Sequence, residues 1–306
     1  AISTTLSCVF FGAISGSGPA TTAAVGMLMI PAMAKRGYNV GYAAAATATA
    51  GGIGIIIPPS IPMVIYGVSG QQSISKMFMA GIIPGILIAV GLSVMHFFLC
   101  RNLKTEGLDW SLKTFIHSLR DGFWSILAPV IILGGIYAGI FTPTEAGGVG
   151  VLYCLIVGKF VYKGLKKEHF IPILRETISG TATVMLIIVS ATVFGYYLNW
   201  ENIPTMLLNA VTSFASNKFL VLLVMNVVLL IVGMFLEGGA ALIILAPLMV
   251  PIVKAAGIDL VHFGIVCNVN IMIGGLTPPF GSMMFTCVSI TGCKMQEFIK
   301  ECVPFI

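Results

Sequence analysis

Long apolar stretches separated by short polar segments make up most of the chain, and glycine and proline interrupt several of them. A helix that crosses a bilayer needs roughly 20 consecutive apolar residues. Stretches that approach this length predict plain membrane-spanning helices at residues 76–100, 123–141, 149–162 and 177–199. The pattern therefore predicts an all-α polytopic membrane protein.

Two further segments each contain two short apolar arms around a polar, glycine-rich break. The first segment covers residues 1–34 and breaks at residues 15–22, and the second covers residues 218–254 and breaks at residues 237–240. The arms of the first segment are too short to cross a bilayer. We therefore predict two re-entrant helical hairpins, each of which enters and leaves the membrane on the same side.

Each hairpin is followed by an apolar run that glycine and proline interrupt near its middle. Residues 40–68 are interrupted at 51–62, and residues 258–291 are interrupted at 274–279. Proline has no amide hydrogen and clashes with the preceding turn, so a helix has to unwind there. Each run therefore predicts a broken transmembrane helix with irregular backbone at membrane depth.

The two hairpin and broken-helix segments are copies of one pattern, related by adding 220 to the residue number. A repeat that is interrupted at matching places inside apolar helices points to the binding site of a secondary transporter. The matched pairs include Pro31 with Pro251, Gly37 with Gly257, Gly54 with Gly274, Pro58-Pro59 with Pro278-Pro279, and Pro84 with Pro304.

Composition and charge narrow the class further. Hydrophobic residues make up 58% of the chain and charged residues only 9%, against about 25% charged in soluble domains. If each hairpin returns to the side it enters from, 13 of the 16 basic residues fall on one side of the membrane. The positive-inside rule assigns that side to the cytoplasm. The hairpins then enter from opposite sides, which predicts an inverted repeat, and the net charge of +5 does not indicate a nucleic-acid partner.

The breaks are also the candidate chemical sites. Unwound backbone frees carbonyl oxygens, which together with serine and threonine hydroxyls suit Na⁺. Inverted symmetry predicts two such sites around one central substrate site. The candidate Na⁺ ligands are Ser15 and Ser17 with carbonyls near Gly54 and Pro58 at the first site, and Gly238 and Thr277 with carbonyls near Gly274 and Pro278 at the second.

Freed N–H groups at the N-termini of half-helices suit an anionic substrate. The alternative is that glycine and proline at the breaks only permit tight helix packing or kinks. The candidate substrate contacts are the hydroxyls of Ser17, Thr21 and Ser60 and the backbone at Pro19, Gly239 and Ala240.

The positions of three carboxylates in the sequence indicate roles for their side chains. Glu237 is the only acid at a hairpin tip, where it either holds a cation or a proton or caps the following half-helix. Glu145 lies in a predicted break at residues 142–148 and is either a cap or a hinge. Asp259, which matches Asn39 in the repeat, predicts a helix cap.

Enzyme signatures are missing from the sequence. Neither the phosphate-binding GxxxxGK[ST] run nor the HExxH metal motif occurs, and the seven cysteines show no CxxC spacing. The run Ser15-Gly16-Ser17-Gly18 leaves one alternative from another class, an intramembrane hydrolase with Ser17 as nucleophile. No base lies at a recognisable spacing from it, so we do not expect an enzyme.

Four motifs together resemble the large membrane (M) subunit of tripartite ATP-independent periplasmic (TRAP) transporters, and the resemblance covers essentially the whole chain. The motifs are Gly16-Ser17-Gly18-Pro19-Ala20-Thr21, Ile57-Pro58-Pro59-Ser60, Phe141-Thr142-Pro143-Thr144-Glu145-Ala146 and Leu276-Thr277-Pro278-Pro279.

The resemblance implies a subunit of the bacterial inner membrane that imports an organic anion, such as sialic acid or a C4-dicarboxylate, together with Na⁺. It implies two partners: a periplasmic substrate-binding (P) protein that delivers the anion, and a small membrane (Q) subunit. It also implies an elevator mechanism, in which the hairpins and broken helices move as a block. The nearest alternative is a stand-alone ion-coupled carboxylate transporter or Na⁺/H⁺ antiporter of related architecture.

Four segments follow from these expectations. Residues 1–75 and 218–291 are the two transport-domain repeats, and residues 76–217 are scaffold and connecting helices. Within the scaffold, amphipathic residues 101–124 predict a helix at the membrane interface, as do residues 200–217. Residues 292–306 are the start of a final helix, and we expect further sequence at both ends of the chain.

Overall fold

The computed structural model describes residues 1–101, 111–203, 205–207, 209 and 217–306. No strand occurs among these residues, and six of their helices are long and apolar enough to cross a membrane. The all-α polytopic membrane class predicted from the sequence is therefore confirmed.

The first copy of the repeat forms helices interrupted where the sequence predicts breaks. A short 3₁₀ turn, Ile53–Ile55, follows the third helix. The helices are α1 (Ile2–Ser15), α2 (Gly18–Ala34), α3 (Val40–Gly52), α4 (Ile61–Ser69) and α5 (Ile74–Leu99).

Three long helices follow, and then the second copy of the repeat. The three are α6 (Leu112–Tyr137), α7 (Pro143–Ile156), which a π-helical turn at Val157–Val161 extends, and α8 (Lys167–Trp200). The second copy contains α9 (Lys218–Phe235), α10 (Gly238–Ala255), α11 (Leu260–Gly274), α12 (Ser282–Thr291) and α13 (Met295–Cys302).

The helix boundaries reproduce the offset of 220 found in the sequence. Helices α2 and α10 begin at Gly18 and Gly238, and helices α3 and α11 begin at Val40 and Leu260. The two copies are therefore one structural unit used twice, with both broken helices present as predicted.

Three kinds of helix contact recur when the two copies are exchanged. Helix α1 packs on α3 as α9 packs on α11, and α2 packs on α12 as α10 packs on α4. Likewise α3 packs on α13 as α11 packs on α5. Each half-helix after a break thus packs on the hairpin of the other copy, which defines a pseudo-two-fold relation between the copies. Their inversion across the membrane and the re-entrant course of the hairpins stay predictions, and both arms of the second hairpin, α9 and α10, are among the six helices long enough to cross.

The chain separates into two compact units, one formed by Ala1–Glu106 with Tyr197–Ile306 and the other by Gly107–Tyr196. The first unit contains both copies of the repeat. Helix α5, which the sequence analysis assigns to the scaffold, packs inside this unit against α1, α4 and α11. The functional division into transport and scaffold segments stays a prediction.

Polar caps explain where several helices begin. Asp259 accepts a hydrogen bond from the His262 amide (2.8 Å), which confirms its predicted role as a cap. Glu145 and Thr142 cap α7 reciprocally, because each side chain accepts from the other residue's backbone N–H. The irregular segment before α7 ends at Thr142, so the predicted break at 142–148 is misplaced. Proline fits the first helical position, where no intrahelical N–H bond is lost.

The predicted interfacial helix at residues 101–124 is not a separate element. Residues from Leu112 onward run into the following apolar segment as one helix, α6. Gly122 costs a helix only about 1 kcal/mol, and a contact between His117 and Asp121 (2.8 Å) spans the helical turn directly before it. Residues 102–110 and most of the predicted interfacial segment 200–217 lie outside the described residues.

Glycine allows the hairpins and the broken helices to approach closely. A methyl group on Gly274 would lie 2.6 Å from the carbonyl carbon of Gly233, and a methyl group on Gly12 would lie 2.7 Å from the Cα of Gly54. Both distances are below van der Waals contact, and the neighbouring atoms are backbone. Each hairpin therefore contacts its own broken helix through a glycine pair.

Substituting Gly274→Ala is expected to destabilise the protein by about 1–3 kcal/mol, the usual cost of overpacking. The matched control is Gly91→Ala, because Gly91 lies in a helix of the same unit with open space around it. Thermal unfolding in detergent should show a lower midpoint for Gly274→Ala only. Equal midpoints for the two variants would show that the close glycine contact does not constrain the fold.

Candidate ion and substrate site

The tip of the first hairpin is joined to the break between α3 and α4. The amide of Ile61 donates a hydrogen bond to the carbonyl of Gly16 (3.0 Å). Gly16 has a φ of +66°, and a methyl group there would lie 2.7 Å from the carbonyl oxygen of Pro59. Only glycine satisfies both the left-handed backbone and the close approach.

Several oxygens converge where these two segments meet; we call Ser15, Ser17, Thr21 and Gly54 the first oxygen cluster. The Ser17 carbonyl accepts hydrogen bonds from the Thr21 hydroxyl (2.7 Å) and the Ser15 hydroxyl (3.3 Å). A methyl group on Gly54 would lie 2.7 Å from the Thr21 hydroxyl oxygen and 3.3 Å from the Ser17 carbonyl. The structure thus brings Ser15, Ser17 and Gly54 together.

The positions of Thr21 and Pro58 differ from their assignments by sequence. Thr21, assigned to the substrate by sequence, lies in the first oxygen cluster and is fully buried. The carbonyl that faces the hairpin tip at Gly16 belongs to Pro59, the residue after the predicted Pro58. The peptide bonds Pro58–Pro59 and Pro278–Pro279 are both cis.

The tip of the second hairpin is joined to the second break in a similar way. The amide of Phe280 donates to the carbonyl of Met234 (3.0 Å). The carbonyl oxygens of Gly275 and Thr277 converge on Gly281, at 2.8 and 3.0 Å from a methyl group built there. We call Gly275 and Thr277 the second oxygen cluster.

The remaining second-site candidates have distinct surroundings. The Thr277 hydroxyl donates to the carbonyl of Ile273 (2.7 Å), which leaves its oxygen lone pairs free to accept a cation. Gly274 packs on the backbone of Gly233, whereas Gly238 faces the side chain of Ile271. Pro278 is half-buried beside Thr277 in the same break.

The substrate candidates differ in how accessible they are. Ser60 is buried; its hydroxyl donates to the carbonyl of Ile55 and accepts from the Met63 amide (3.4 Å), so it secures the break. Gly239 is buried and faces Ile65 of the other repeat copy. The half-buried candidates are Ser17, Pro19 and Ala240.

The N-termini of the two hairpin half-helices carry different caps. At α2 the hydroxyl of Ser17 accepts from the Ala20 amide (3.4 Å). At α10 the exposed carboxylate of Glu237 accepts from the amides of Gly239 (2.9 Å) and Ala240 (3.1 Å). The capping interpretation of Glu237 is therefore confirmed, and the positive end of α10 already holds a negative charge.

Sequence reasoning missed a set of polar side chains in the apolar helices. Asn270 of α11 donates to the side chain of Asn226 in α9 (2.6 Å) and to the carbonyl of Val266 (2.8 Å). Within the described part of the chain, the buried Thr22 hydroxyl and the Asn268 side-chain oxygen have no hydrogen-bond partner. Asparagine in the middle of an apolar run was the available signal, because buried amides need specific partners.

The chemistry of the two oxygen clusters is that of neutral oxygens. Hydroxyl and carbonyl oxygens suit a hard cation. Over residues 1–101, 111–203, 205–207, 209 and 217–306, no group of three histidine, cysteine, aspartate or glutamate side chains lies close enough to hold a metal ion. The two oxygen clusters therefore have the ligand chemistry expected of an alkali-cation site.

A multi-pass helical membrane protein built from two exchangeable hairpin and broken-helix copies has the architecture of a secondary transporter. The family can be stated more closely. Residues 1–306 match the family model described as tripartite ATP-independent periplasmic transporter, DctM component, and the chain belongs to that family. The resemblance found in the sequence is thereby confirmed, as is the expectation that the chain is not an enzyme. The protein is a multi-pass component of the bacterial inner membrane.

The curated relatives are named for different substrates. The isethionate TRAP transporter permease protein DctMQ of Oleidesulfovibrio alaskensis is 44% identical over 308 residues, which cover 100% of this chain and 48% of that protein. The C4-dicarboxylate large permease DctM of Pseudomonas aeruginosa is 40% identical over 307 residues, 100% of this chain and 72% of that protein. The sialic acid large permease SiaM of Vibrio cholerae is 39% identical over 302 residues, 98% of this chain and 71% of that protein. The chain thus spans about half of the first relative.

Replacing Glu237 tests its role at the start of α10. Glu237→Ala removes both cap hydrogen bonds and is expected to cost about 1 kcal/mol, whereas Glu237→Ser places the residue of the first repeat at this position and keeps a cap. Thermal unfolding in detergent should show a lower midpoint for the alanine variant than for the serine variant. Identical midpoints would mean that the cap does not stabilise the hairpin.

Proposed function

We propose that this chain is the core of the large permease subunit of a Na⁺-coupled transporter that imports an organic anion. The supporting observation is the paired arrangement of the breaks, in which each hairpin tip meets its broken helix and neutral oxygens converge. The named substrates of the relatives, isethionate, C4-dicarboxylates and sialic acid, are all organic acids. An organic anion is therefore the substrate class that fits best.

Coupling to Na⁺ rests on the two oxygen clusters. Irregular backbone at membrane depth is stable only if other groups satisfy its carbonyls. In the first cluster, hydroxyls of Ser15 and Thr21 surround the Ser17 carbonyl, and in the second the carbonyls of Gly275 and Thr277 converge. A Na⁺ bound at each cluster would be held by these oxygens and would bring positive charge close to the anion site.

The substrate anion is assigned to the N-terminus of α2. Both hairpin half-helices point a positive end at a break, but the end of α10 is neutralised by the Glu237 carboxylate, whereas the cap of α2 is the neutral Ser17. The sequence has no lysine or arginine at the breaks, so backbone N–H groups and bound Na⁺ supply the positive potential. Ser17 and Pro19 are half-buried there.

The relatives also suggest how the subunit works with partners. The name of one relative, DctMQ, combines two components, which supports a small membrane subunit, fused or separate. Both hairpins and both broken helices lie in one compact unit, as an elevator movement of that unit requires. A periplasmic binding protein would deliver the anion to it.

Reconstituted full-length permease with its small subunit and binding protein should take up the anion only when an inward Na⁺ gradient is present. Thr277→Ala and Ser15→Ala should each raise the Na⁺ concentration for half-maximal uptake several-fold, because each removes an oxygen ligand. Uptake by proteoliposomes as a function of Na⁺ concentration measures both effects.

The matched control is Thr286→Ala. Thr286 makes the same backward hydrogen bond as Thr277, to the carbonyl of Ser282 (2.8 Å), but lies within α12 away from the break. It should leave the Na⁺ dependence unchanged. Uptake that is indifferent to Na⁺ would disprove the coupling, and full uptake without the binding protein would favour the stand-alone transporter.

Ser17→Asp tests the anion assignment. Aspartate is a good helix cap, so the hairpin should fold, but its carboxylate would occupy the positive end of α2 as Glu237 occupies that of α10. We expect the KM for the anion to rise about tenfold or more in uptake assays. The control is Ser73→Asp, the same substitution at the cap of α5. An unchanged KM in Ser17→Asp would move the anion away from α2.

A further inference from the structure

A basic concavity lies at the connection between α7 and α8, within the unit Gly107–Tyr196. The π-helical turn Val157–Val161 ends α7 and carries Lys159, and α8 begins at Lys167. The charge distribution along the sequence places this connection at the cytoplasmic surface. Its function is independent of the ion and substrate sites proposed above.

The connection is folded back on the end of α7. The carbonyl of Gly158 accepts hydrogen bonds from the amides of Gly164 (3.0 Å) and Leu165 (3.1 Å). Lys163 turns the chain with a φ of +52°. These contacts hold the residues before α8 against the π-helical turn, so lysines from two segments come to one place.

The resulting cavity has a volume of about 420 Å³ and an amphipathic lining. A second cavity of about 570 Å³ continues along α8, shares Ile171 and is lined also by Leu174, Arg175 and Ile178. A mainly apolar track, with Leu174 and Ile178 beside Arg175, thus continues from the first cavity along the helix. The first cavity is lined by Lys159, Lys166 and Lys167 together with the apolar Leu155, Phe170 and Ile171.

Acidic groups offset only part of this charge. Glu168 lies 3.6 Å from the ammonium of Lys166 and 3.9 Å from a ring nitrogen of His169. In the described part of the chain, neither Lys159 nor Lys167 has an ion-pair partner, and the ammonium of Lys159 lies over the ring of Phe160, 5.4 Å from its centre. Two unpaired cations therefore border the cavity.

The depth at which α8 begins in the membrane also suits a lipid headgroup. Helix α8 has 34 residues and is about 51 Å long at 1.5 Å per residue, whereas the hydrocarbon core is about 30 Å thick. About 20 Å of the helix therefore lies outside the hydrocarbon. The charged residues Lys167, Glu168, Arg175 and Glu176 place this excess in its first turns, within the headgroup layer.

We propose that the cavity between the end of α7 and the start of α8 binds an anionic phospholipid of the cytoplasmic leaflet. Its phosphodiester lies between Lys159 and Lys167, and an acyl chain follows Phe170, Ile171 and the apolar track of α8. Basic pockets at the cytoplasmic ends of transmembrane helices are suited to such headgroups, and each nearby basic residue strengthens the attraction.

The test uses the full-length permease in complex with its small membrane subunit, in detergent, with dioleoyl phosphatidylglycerol or phosphatidylcholine as the probe. Native mass spectrometry should show preferential retention of phosphatidylglycerol. Lys159→Gln with Lys167→Gln should weaken that retention about tenfold, and Lys159→Arg with Lys167→Arg should preserve it.

The control variant is Lys113→Gln with Arg120→Gln, two exposed residues of α6, which removes the same charge from the same unit and the same predicted side without altering the cavity lining. Phosphatidylglycerol retention should not change in this variant. The proposal is overturned if both glutamine variants lose lipid equally, or if neither does. It is also overturned if glycerol phosphate displaces the lipid equally well, which indicates a soluble phosphate site, or if lipid binds only after the small subunit is removed, which indicates a protein interface.

Discussion

Two backbone hydrogen bonds tie the hairpin tips to the broken helices, and the rest of the repeat depends on them. One runs from the amide of Ile61 to the carbonyl of Gly16, and the other from the amide of Phe280 to the carbonyl of Met234. A membrane offers no water to satisfy unwound backbone, so irregular segments are stable at that depth only when protein groups pair with them. The glycines at the tips and breaks follow from this requirement, because the backbones must approach within hydrogen-bonding distance.

The same requirement applies to the half-helices that begin at the breaks. A half-helix that begins at a break leaves its first N–H groups without intrahelical acceptors. In the first copy, α2 and α4 both receive serine caps, Ser17 and Ser60, whereas in the second copy α10 receives Glu237 and α12 begins at Gly281 without a side-chain cap. The helices of the two copies pack in corresponding ways, but the charges at their N-termini differ. We therefore expect the cap residues, and not the shared fold, to decide which half-helix binds the anion.

Much of the fold could be predicted from the sequence because its signals are local and strong. Glycine and proline at matched positions located both broken helices, and Asp259 was recognisable as a cap from its place before an apolar run. The continuity of α6 was not predictable, because polar residues around Gly122 resemble a boundary while costing a helix little. The break before α7 was misplaced for a related reason: Pro143 reads as an interruption but occupies the first helical position.

The candidate site was predictable in its segments but not in its pairings. Thr21 could not be separated from the substrate candidates by sequence, since only the fold shows its hydroxyl beside Gly54 of the break. The asparagine pair, Asn226 and Asn270, joins two helices of the second copy across 44 residues of chain. Contacts of this kind depend on the packing angle and register of helices, which no local pattern encodes.

The first oxygen cluster has a further physical consequence. The Ser17 carbonyl already accepts from the Thr21 amide (3.0 Å) and from the hydroxyls of Thr21 and Ser15. A cation that binds the Ser17 carbonyl itself would displace these two hydroxyl donors, which would then turn away from the carbonyl. Binding would thus exchange the hydrogen bonds that hold the hairpin tip for ion contacts. A ligand shifts a conformational equilibrium only by its differential affinity for the two states, and this exchange of contacts is where such a difference would arise.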